Sequence, residues 1–168
     1  MGKDLWDRHE NELLSNFLSL IQAPSGFGKS LMLKYGAQKL NGLYLNDRSE
    51  LFDGSLNDNI NLGSSPLKFP TCLLEDIQFD FDETIYDINE KLSTGQRQRV
   101  LYLRSITAET DYFFFDETIS GLQGSKINEL ISFTDELFRS SNKKFLYVIH
   151  NYSPNIEQIN TIRLEDSK

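Results

Sequence analysis

One short run of residues constrains the fold of this chain more than any other feature of its sequence. Ala23-Pro24-Ser25-Gly26-Phe27-Gly28-Lys29-Ser30 joins an apolar stretch to a segment with helical spacing. A strand, a turn that contains glycine and a helix place several backbone N–H groups around one concavity, and such a concavity binds phosphate. The run therefore predicts a strand–loop–helix unit of an α/β fold.

Apolar runs alternate with helical patterns along the rest of the chain. We predict buried strands at 17–21, 43–45, 112–115, 145–149 and 159–164, and helices at 31–40, 95–108 and 125–138. The first of these helices is expected to turn Leu31, Leu33, Ala37 and Leu40 to the core, and the last to turn in Ile127, Leu130, Ile131, Leu137 and Phe138. Such alternation predicts a mainly parallel sheet flanked by helices, with right-handed crossovers.

Two segments differ from this pattern in their amino-acid composition. Residues 1–15 are polar and charged, and fit either a helix or a loose arm. Residues 53–91 mix Asn, Asp, Ser and Pro with short apolar stretches, which is typical of short helices and loops. We therefore expect one domain over 1–168, with a core at about 17–50 and 93–168 and a small helical subdomain inserted at about 53–92.

Composition and charge limit the classes of partner. The net charge of −8 and the pI of about 4.8 oppose sequence-independent binding to DNA or anionic lipid. We interpret the local basic cluster of Arg97, Arg99 and Arg104 as a solvated helix face. Cys72 stands alone, so it forms no internal disulfide and no zinc pattern. No apolar run reaches membrane-spanning length and residues 1–6 lack a signal-peptide core, so we expect a cytoplasmic protein. From the acidic charge we expect no nucleic-acid partner.

The glycine-containing loop has a specific chemistry. Lys29 would reach the β- and γ-phosphates of a nucleotide, and the Ser30 hydroxyl would bind Mg²⁺. Glycine at 26 and 28 permits backbone angles and a close approach that a side chain would block. The nucleotide-contacting residues predicted here are Pro24, Ser25, Gly26, Phe27, Gly28, Lys29 and Ser30. The alternative is an ordinary strand–helix loop with a chance Gly-Lys-Ser, and Ala23 does stand where the strict pattern has glycine.

Three polar residues follow two later strands. Asp116 and Glu117 end the aromatic run 112–115, and His150 ends the run 145–149. Because the carboxyl ends of parallel strands form one ligand crevice, we expect these residues near Lys29. Asp116 would hold Mg²⁺ and Glu117 would polarise the attacking water. Alone, each residue is more often a polar strand end or a structural histidine, and their convergence is what favours function.

A second motif identifies the family. Leu92-Ser93-Thr94-Gly95-Gln96-Arg97-Gln98-Arg99 resembles the signature motif of the ATP-binding domains of ABC transporters. The run 23–30 is similar to that family's Walker A motif, and Leu51–Ile60 is similar to the stretch after the Q-loop in exporter-type members. Ser120-Gly121-Leu122-Gln123 occupies the D-loop position. The resemblance covers roughly residues 17 to 165.

The resemblance implies a mechanism. Two such domains pack head to tail around two ATP molecules, as a homodimer or as a heterodimer with another ABC ATPase domain. Ser93, Gly95 and Gln96 of one protomer would meet the γ-phosphate held by the other, with Glu117 as general base and His150 as γ-phosphate sensor. The family binds Mg-ATP and energises a transmembrane transport partner, which would place this chain at the inner face of a membrane.

The chain departs from the family pattern at several positions. The family's Q-loop glutamine should fall near residues 46 and 47, but these residues are Asn46 and Asp47. Asp47 could still bind Mg²⁺. Thr94 replaces a signature glycine and Gln123 replaces the D-loop aspartate. Only 17 residues separate Lys29 from Asp47, which leaves no room for the family's antiparallel β-subdomain or its adenine-stacking aromatic residue. Trp6 could substitute for the stacking ring, and the alternative is an exposed or a core residue.

These departures keep two other functions open. The first is a degenerate nucleotide-binding regulatory or accessory module with little or no hydrolysis. The second is an ABC-like ATPase of DNA repair, against which the acidic pI, the exporter-like stretch 51–60 and the lack of a long coiled-coil insertion argue.

Overall fold

A computed structural model describes residues 1–46, 48–62, 73–119, 121–122, 124–149 and 160–164. The described residues form six helices and five strands. In chain order these are α1 (Gly2–Ser15), β1 (Leu18–Gln22), α2 (Lys29–Leu40), β2 (Leu43–Asn46), α3 (Leu56–Asn61), α4 (Ile88–Lys91), α5 (Thr94–Ile106), β3 (Tyr112–Asp116), α6 (Gly124–Phe138), β4 (Lys144–Val148) and β5 (Asn160–Arg163). The predicted α/β fold is confirmed.

The strands form one parallel sheet in the order β2-β3-β4-β1-β5. Parallel neighbours require crossovers, and helices occupy the connections from β1 to β2, from β2 to β3 and from β3 to β4. One row of paired residues crosses the sheet near its carboxyl edge, because Asn46 pairs with Asp116, Asp116 with Val148, and Val148 with Ile21. The residues that follow this row on β1 and β3 therefore emerge at the same edge of the sheet.

Alternating side chains divide the core into two layers. Phe113, Phe115 and Phe145 face the layer that contains the buried side of α5 and α6. Phe114 and Leu146 face the layer that contains the buried sides of α1 and α2. Since successive strand residues point to opposite faces, α2 and α5 pack on opposite sides of the sheet. The continuous aromatic run of β3 is thus explained by burial on both faces, as predicted.

Residues 1–15 form a helix that packs into the core, which settles the choice between helix and loose arm. α1 lies along α2 and buries Trp6 and Leu13 completely. Trp6 lies 5.7 Å from Phe114, measured between ring centroids. The interpretation of Trp6 as a core residue is therefore confirmed, and its use as a stacking ring for adenine is wrong, because its side chain is enclosed.

Two apolar residues do not face the core as predicted. Leu31 is 55% exposed and Leu137 is 39% exposed. On α2 the buried positions are instead Lys29, Met32, Leu33, Gly36 and Ala37. The helix starts at Lys29, two residues earlier than predicted, and its inward face is set by the contact of Gly36 with α1, which the sequence pattern does not reveal.

The described part of the segment between β2 and α5 contains two short helices. Ser55 caps α3 by accepting a hydrogen bond from the backbone of Asp58. Gly54 pairs with Ile85 in an isolated antiparallel bridge. Leu56, Ile60 and Ile88 join the same core layer as α5. The described part of this segment is helical and irregular, as expected, and the division of the chain into core and helical subdomain stays a prediction.

Candidate functional site

The predicted phosphate loop joins β1 to α2. Gly26 and Gly28 have φ angles of 78° and 93°, in the left-handed region that favours glycine. The Phe27 amide donates to the Pro24 carbonyl at 3.3 Å, which closes a turn inside the loop. Gly28 is the N-cap of α2, so the loop ends where the helix exposes its first N–H groups. Glycine is therefore favoured at positions 26 and 28 by their positive φ angles.

The Lys29 side chain folds back over this loop and is held there by two hydrogen bonds. Its Nζ donates hydrogen bonds to the carbonyl oxygens of Ala23 at 2.9 Å and Pro24 at 2.8 Å. The residue is only 6% exposed. Ser30, the next residue, is exposed on the first turn of α2. The loop thus holds a buried ammonium group directly beside an exposed hydroxyl.

Asp116 ends β3 and lies 7% exposed. Its Oδ2 accepts a hydrogen bond from the Tyr44 hydroxyl at 2.5 Å. Its Oδ1 is buried and has no hydrogen-bond partner among the described residues. A buried carboxylate oxygen without a partner is costly, and such an atom is expected where a ligand completes its shell. No sequence pattern predicted this contact of Tyr44, because the two residues are 72 positions apart in the chain.

Glu117 follows Asp116 with an unusual backbone. Its φ of 58° lies in the left-handed region, which costs a residue with a β-carbon roughly 1–2 kcal/mol. Its amide donates to the Val148 carbonyl at 3.1 Å, which fixes the turn against the end of β4. Positive φ in a non-glycine residue is concentrated at functional sites. The chain therefore leaves the sheet abruptly at the residue predicted to act as a base.

The loop that carries Lys29 and the strand that ends at Asp116 meet the same edge of the sheet. β1 and β3 flank β4, so the strand ends that precede the loop and carry Asp116 are two strand spacings, roughly 10 Å, apart. Lys29, Ser30 and Asp116 all lie on the side of the sheet that α2 covers. Asp47 and His150 lie outside the described residues, as do Cys72 and, in the D-loop, Ser120 and Gln123.

The signature segment begins α5. Ser93 is the N-cap, and its hydroxyl accepts from the Gln96 amide at 3.3 Å while the Ser93 amide donates to Gln96 Oε1 at 2.9 Å. This reciprocal pair is a capping box. Gln96 Nε2 also donates to the Asp76 carbonyl at 2.8 Å. Ser93 and Thr94 are exposed. The segment therefore presents a fixed helix N-terminus to its surroundings.

The interpretation of the basic cluster as a solvated helix face is wrong. Arg99 is 4% exposed and forms a two-point ion pair with Asp76, at 2.5 and 2.6 Å. The hydrogen bond from Arg99 lowers the pKa of the Asp76 carboxyl below its ordinary value. Arg104 donates to the carbonyl oxygens of Asn59 at 2.8 Å and Glu50 at 3.0 Å. Both arginines act as internal connectors between α5 and the segment before it.

Among the described residues, no group of three or more His, Cys, Asp or Glu side chains is placed to hold a metal ion. Within the same part of the chain, no helix has the length and hydropathy needed to cross a membrane.

Comparison with known proteins gives partial matches. No protein-family model matches the chain. The chain is 27% identical to the Lactococcin-G-processing and transport ATP-binding protein LagD of Lactococcus lactis subsp. lactis over 122 residues, which are 66% of this chain and 17% of that protein. It is 34% identical to a Tyrosine transport ATP-binding protein of Clostridioides difficile over 79 residues, 47% of this chain and 32% of that protein.

A third relative matches over a longer stretch. The Multidrug resistance-like ATP-binding protein MdlA of Buchnera aphidicola subsp. Schizaphis graminum is 25% identical over 134 residues, 73% of this chain and 21% of that protein. The chain thus matches between 17% and 32% of the length of these three relatives. In its parallel sheet and in these partial matches, the chain is similar to the ATP-binding domains of ABC transporters.

Proposed function

We propose that the chain binds Mg-ATP at the loop 23–30 and hydrolyses it at composite sites of a head-to-tail dimer. The observation that carries this proposal is the shared edge of the sheet, where the buried ammonium group of Lys29 and the buried carboxylate of Asp116 lie on the same face. A cation for phosphate and an oxygen ligand for a divalent metal are the two groups that phosphoryl transfer requires of a protein.

The loop binds phosphate through its backbone and Lys29. The first amides of α2 have no partner within the helix, and the helix dipole adds favourable potential for an anion. Lys29 Nζ exchanges the carbonyl oxygens of Ala23 and Pro24 for phosphate oxygens when nucleotide enters. Pro24, Ser25, Gly26, Phe27 and Gly28 supply the surrounding wall.

The donor set fits magnesium. Mg²⁺ prefers oxygen ligands and keeps several waters. Asp116 Oδ1 is a buried oxygen with no protein partner among the described residues, and Ser30 offers an exposed hydroxyl on the same face. Bound there, the metal neutralises phosphate charge. Asp47 is a further candidate ligand. Phosphate and water oxygens would supply the remaining ligands.

Glu117 and His150 are proposed to act on the attacking water and the γ-phosphate. The left-handed turn at Glu117 ends β3, and the Glu117 amide bonds the Val148 carbonyl at the end of β4. A carboxylate at this place orients and deprotonates water as a general base. His150, two residues beyond the end of β4, is proposed as the γ-phosphate sensor.

The composite site is supported by the position of the signature segment. α5 packs on the face of the sheet opposite to α2, so the signature segment and Lys29 belong to helices that the sheet separates. An exposed helix N-terminus can bind the phosphate of a second protomer, whether from an identical chain or another ABC ATPase domain. The names of the relatives support a membrane transport partner, and through it a cytoplasmic location at the inner face of a membrane.

A nucleotide-binding module with little or no hydrolysis is the second candidate. Two observations favour it. Every strand pairing in the sheet is parallel, so the described residues contain no antiparallel β-subdomain beside the phosphate loop. Trp6 is enclosed in the core and provides no stacking ring. Without a stacking ring the adenine base of the nucleotide is held less firmly, which lowers the fraction of bound nucleotide that reaches the reactive geometry.

The experiment compares wild type, Lys29→Ala and Glu117→Gln by calorimetry, phosphate release and gel filtration with ATP. We expect binding and turnover in wild type, loss of both in Lys29→Ala, and an ATP-dependent dimer in Glu117→Gln. Tight binding with no phosphate release over hours would replace the ATPase by the binding module. Equal turnover in wild type and Lys29→Ala would reject this site altogether.

A further inference from the structure

The Tyr44 hydroxyl and the Asp116 carboxylate form a short, directed contact. Asn46 pairs with Asp116 across β2 and β3. Tyr44, two residues before Asn46, therefore lies on the same face of the sheet as Asp116. Its hydroxyl donates to Oδ2 at 2.5 Å, within the range of an O–H···O⁻ bond to an ionised carboxylate. The contact joins adjacent strands at the edge where the metal site is proposed.

The two oxygens of Asp116 have different surroundings. Oδ2 is held by Tyr44, whereas Oδ1 is buried and has no hydrogen-bond partner among the described residues. One bond to Oδ2 is enough to fix rotation of a carboxylate whose strand is already in the sheet. Oδ1 is thereby presented in one orientation on the face that also carries Ser30.

Tyr44 is itself held in place. Its ring packs at the margin of the core layer beneath α2. Lys34 Nζ lies 5.5 Å from the centroid of the ring, a cation–π distance. A hydroxyl on a ring fixed from two sides can orient its acceptor, which a hydroxyl on a mobile side chain does only at an entropic cost.

We propose that Tyr44 is a positioning residue for the metal-binding carboxylate, holding Asp116 Oδ2 so that Oδ1 faces Mg²⁺. This inference rests on the proposed function, since it assigns the metal of Mg-ATP to Asp116. A residue that orients a metal ligand by a hydrogen bond typically changes metal affinity by about 10- to 100-fold when it is removed. Nucleotide binding in the absence of metal depends on the loop and Lys29, and is independent of Tyr44.

The test is Tyr44→Phe, which removes one oxygen atom and keeps the ring. Tyr112→Phe is the matched control, because Tyr112 lies on the same strand as Asp116 but at the opposite end. Affinity for a non-hydrolysable ATP analogue is measured by calorimetry in EDTA, and Mn²⁺ affinity of the protein–nucleotide complex by electron paramagnetic resonance. Thermal unfolding of each variant verifies that it is folded.

We expect Tyr44→Phe to weaken Mn²⁺ binding by about tenfold or more while nucleotide affinity in EDTA changes less than twofold. Tyr112→Phe should match wild type in both. Unchanged or tighter Mn²⁺ binding in Tyr44→Phe overturns the inference and leaves the proposed function standing. Failure of the wild type to bind nucleotide with or without metal overturns both.

Discussion

The indole ring of Trp6 occupies the space that a side chain on Gly36 would fill. A methyl group on Gly36 would lie 2.3 Å from Cζ3 and 2.5 Å from Cε3 of the ring. Both distances are far below van der Waals contact. Trp6 also contacts Phe114 on the sheet. A single glycine on α2 thus allows α1 to dock, and the docked ring completes the core on this side of the molecule.

Gly36→Ala should destabilise the fold. The added methyl group overpacks a filled site, which typically costs about 1–3 kcal/mol, and the gain in helix propensity of about 1 kcal/mol offsets only part of it. We expect a lower urea midpoint with an unchanged slope. Gln38→Ala, an exposed change on the same helix, is the control and should match wild type. A Gly36→Ala protein as stable as Gln38→Ala would contradict this packing.

Nucleotide should leave the fluorescence of Trp6 unchanged. Trp6 is the chain's only tryptophan and is fully buried. Its environment is protein on every side, so saturating ATP should shift neither the emission maximum nor its accessibility to iodide. The measurement is a fluorescence titration, with binding followed independently by calorimetry. Strong quenching at concentrations that match the calorimetric curve would restore Trp6 as a stacking ring.

Asp76→Asn should reduce the loss of stability in acid. The pKa of Asp76 is lowered, chiefly by the hydrogen bond from Arg99. A carboxyl whose folded pKa lies below its unfolded value of about 3.8 stabilises the fold fully above that pH. The contribution is lost as the pH falls through the folded pKa. Wild type should therefore lose more stability between about pH 5 and pH 3 than Asp76→Asn does.

The control for this experiment is Glu75→Gln, an exposed neighbour of Asp76. It should keep the wild-type slope of urea midpoint against pH. The Asp76 side chain is 54% exposed, so water screens the pair and the difference should be modest. An Asp76→Asn slope equal to that of wild type would mean that the ion pair does not contribute to stability.

In an alkaline titration, two tyrosine hydroxyls should lose their protons at a higher pH than the others, at the same point as the protein unfolds. Tyr102 and Tyr147 share a hydrogen bond at 2.6 Å between their hydroxyls, and Tyr102 also bonds the Thr134 hydroxyl. Burial raises the pKa of Tyr102 to about 12, and that of Tyr147 well above its ordinary value. The folded state therefore keeps protons that the unfolded state loses near pH 10, so stability is complete below that pH and falls above it.

The measurement is tyrosinate absorbance against pH, followed in parallel with circular dichroism. Tyr102→Phe should remove one late-titrating group and lower stability by about 1–3 kcal/mol, because it leaves the buried Tyr147 hydroxyl without this partner. Tyr86→Phe, at a 67% exposed position, should remove one early group and leave stability unchanged. Ionisation of every tyrosine before any unfolding would contradict the buried pair.

Much of the fold could be predicted because local patterns carried it. The aromatic run 112–115 is buried on both faces, and only a strand inside a parallel sheet offers that environment. The glycines of the loop 23–30 mark the turn between β1 and α2 through their backbone angles. These signals depend on neighbours in sequence, which is why they were readable without coordinates.

The burial of Arg99 and the enclosed position of Trp6 depend on partners distant in the chain. The first was predicted wrongly, and the second was one of the interpretations that the sequence left open. Arg99 is buried because Asp76 offers it two carboxylate oxygens, and Trp6 because Gly36 leaves a gap. Periodicity records which face of a helix is apolar, but not which long-range pair compensates a buried charge or admits a large ring.

Residue type and local spacing were sufficient to predict the parallel α/β fold, the glycine loop and the candidates Lys29, Asp116 and Glu117. Three contacts became known from the folded molecule: Tyr44 bonds Asp116, Asp116 has one buried oxygen without a partner among the described residues, and α1 packs over the core beside α2. These are contacts between elements distant in the chain, and their geometry is set by strand order and register, which no local pattern encodes.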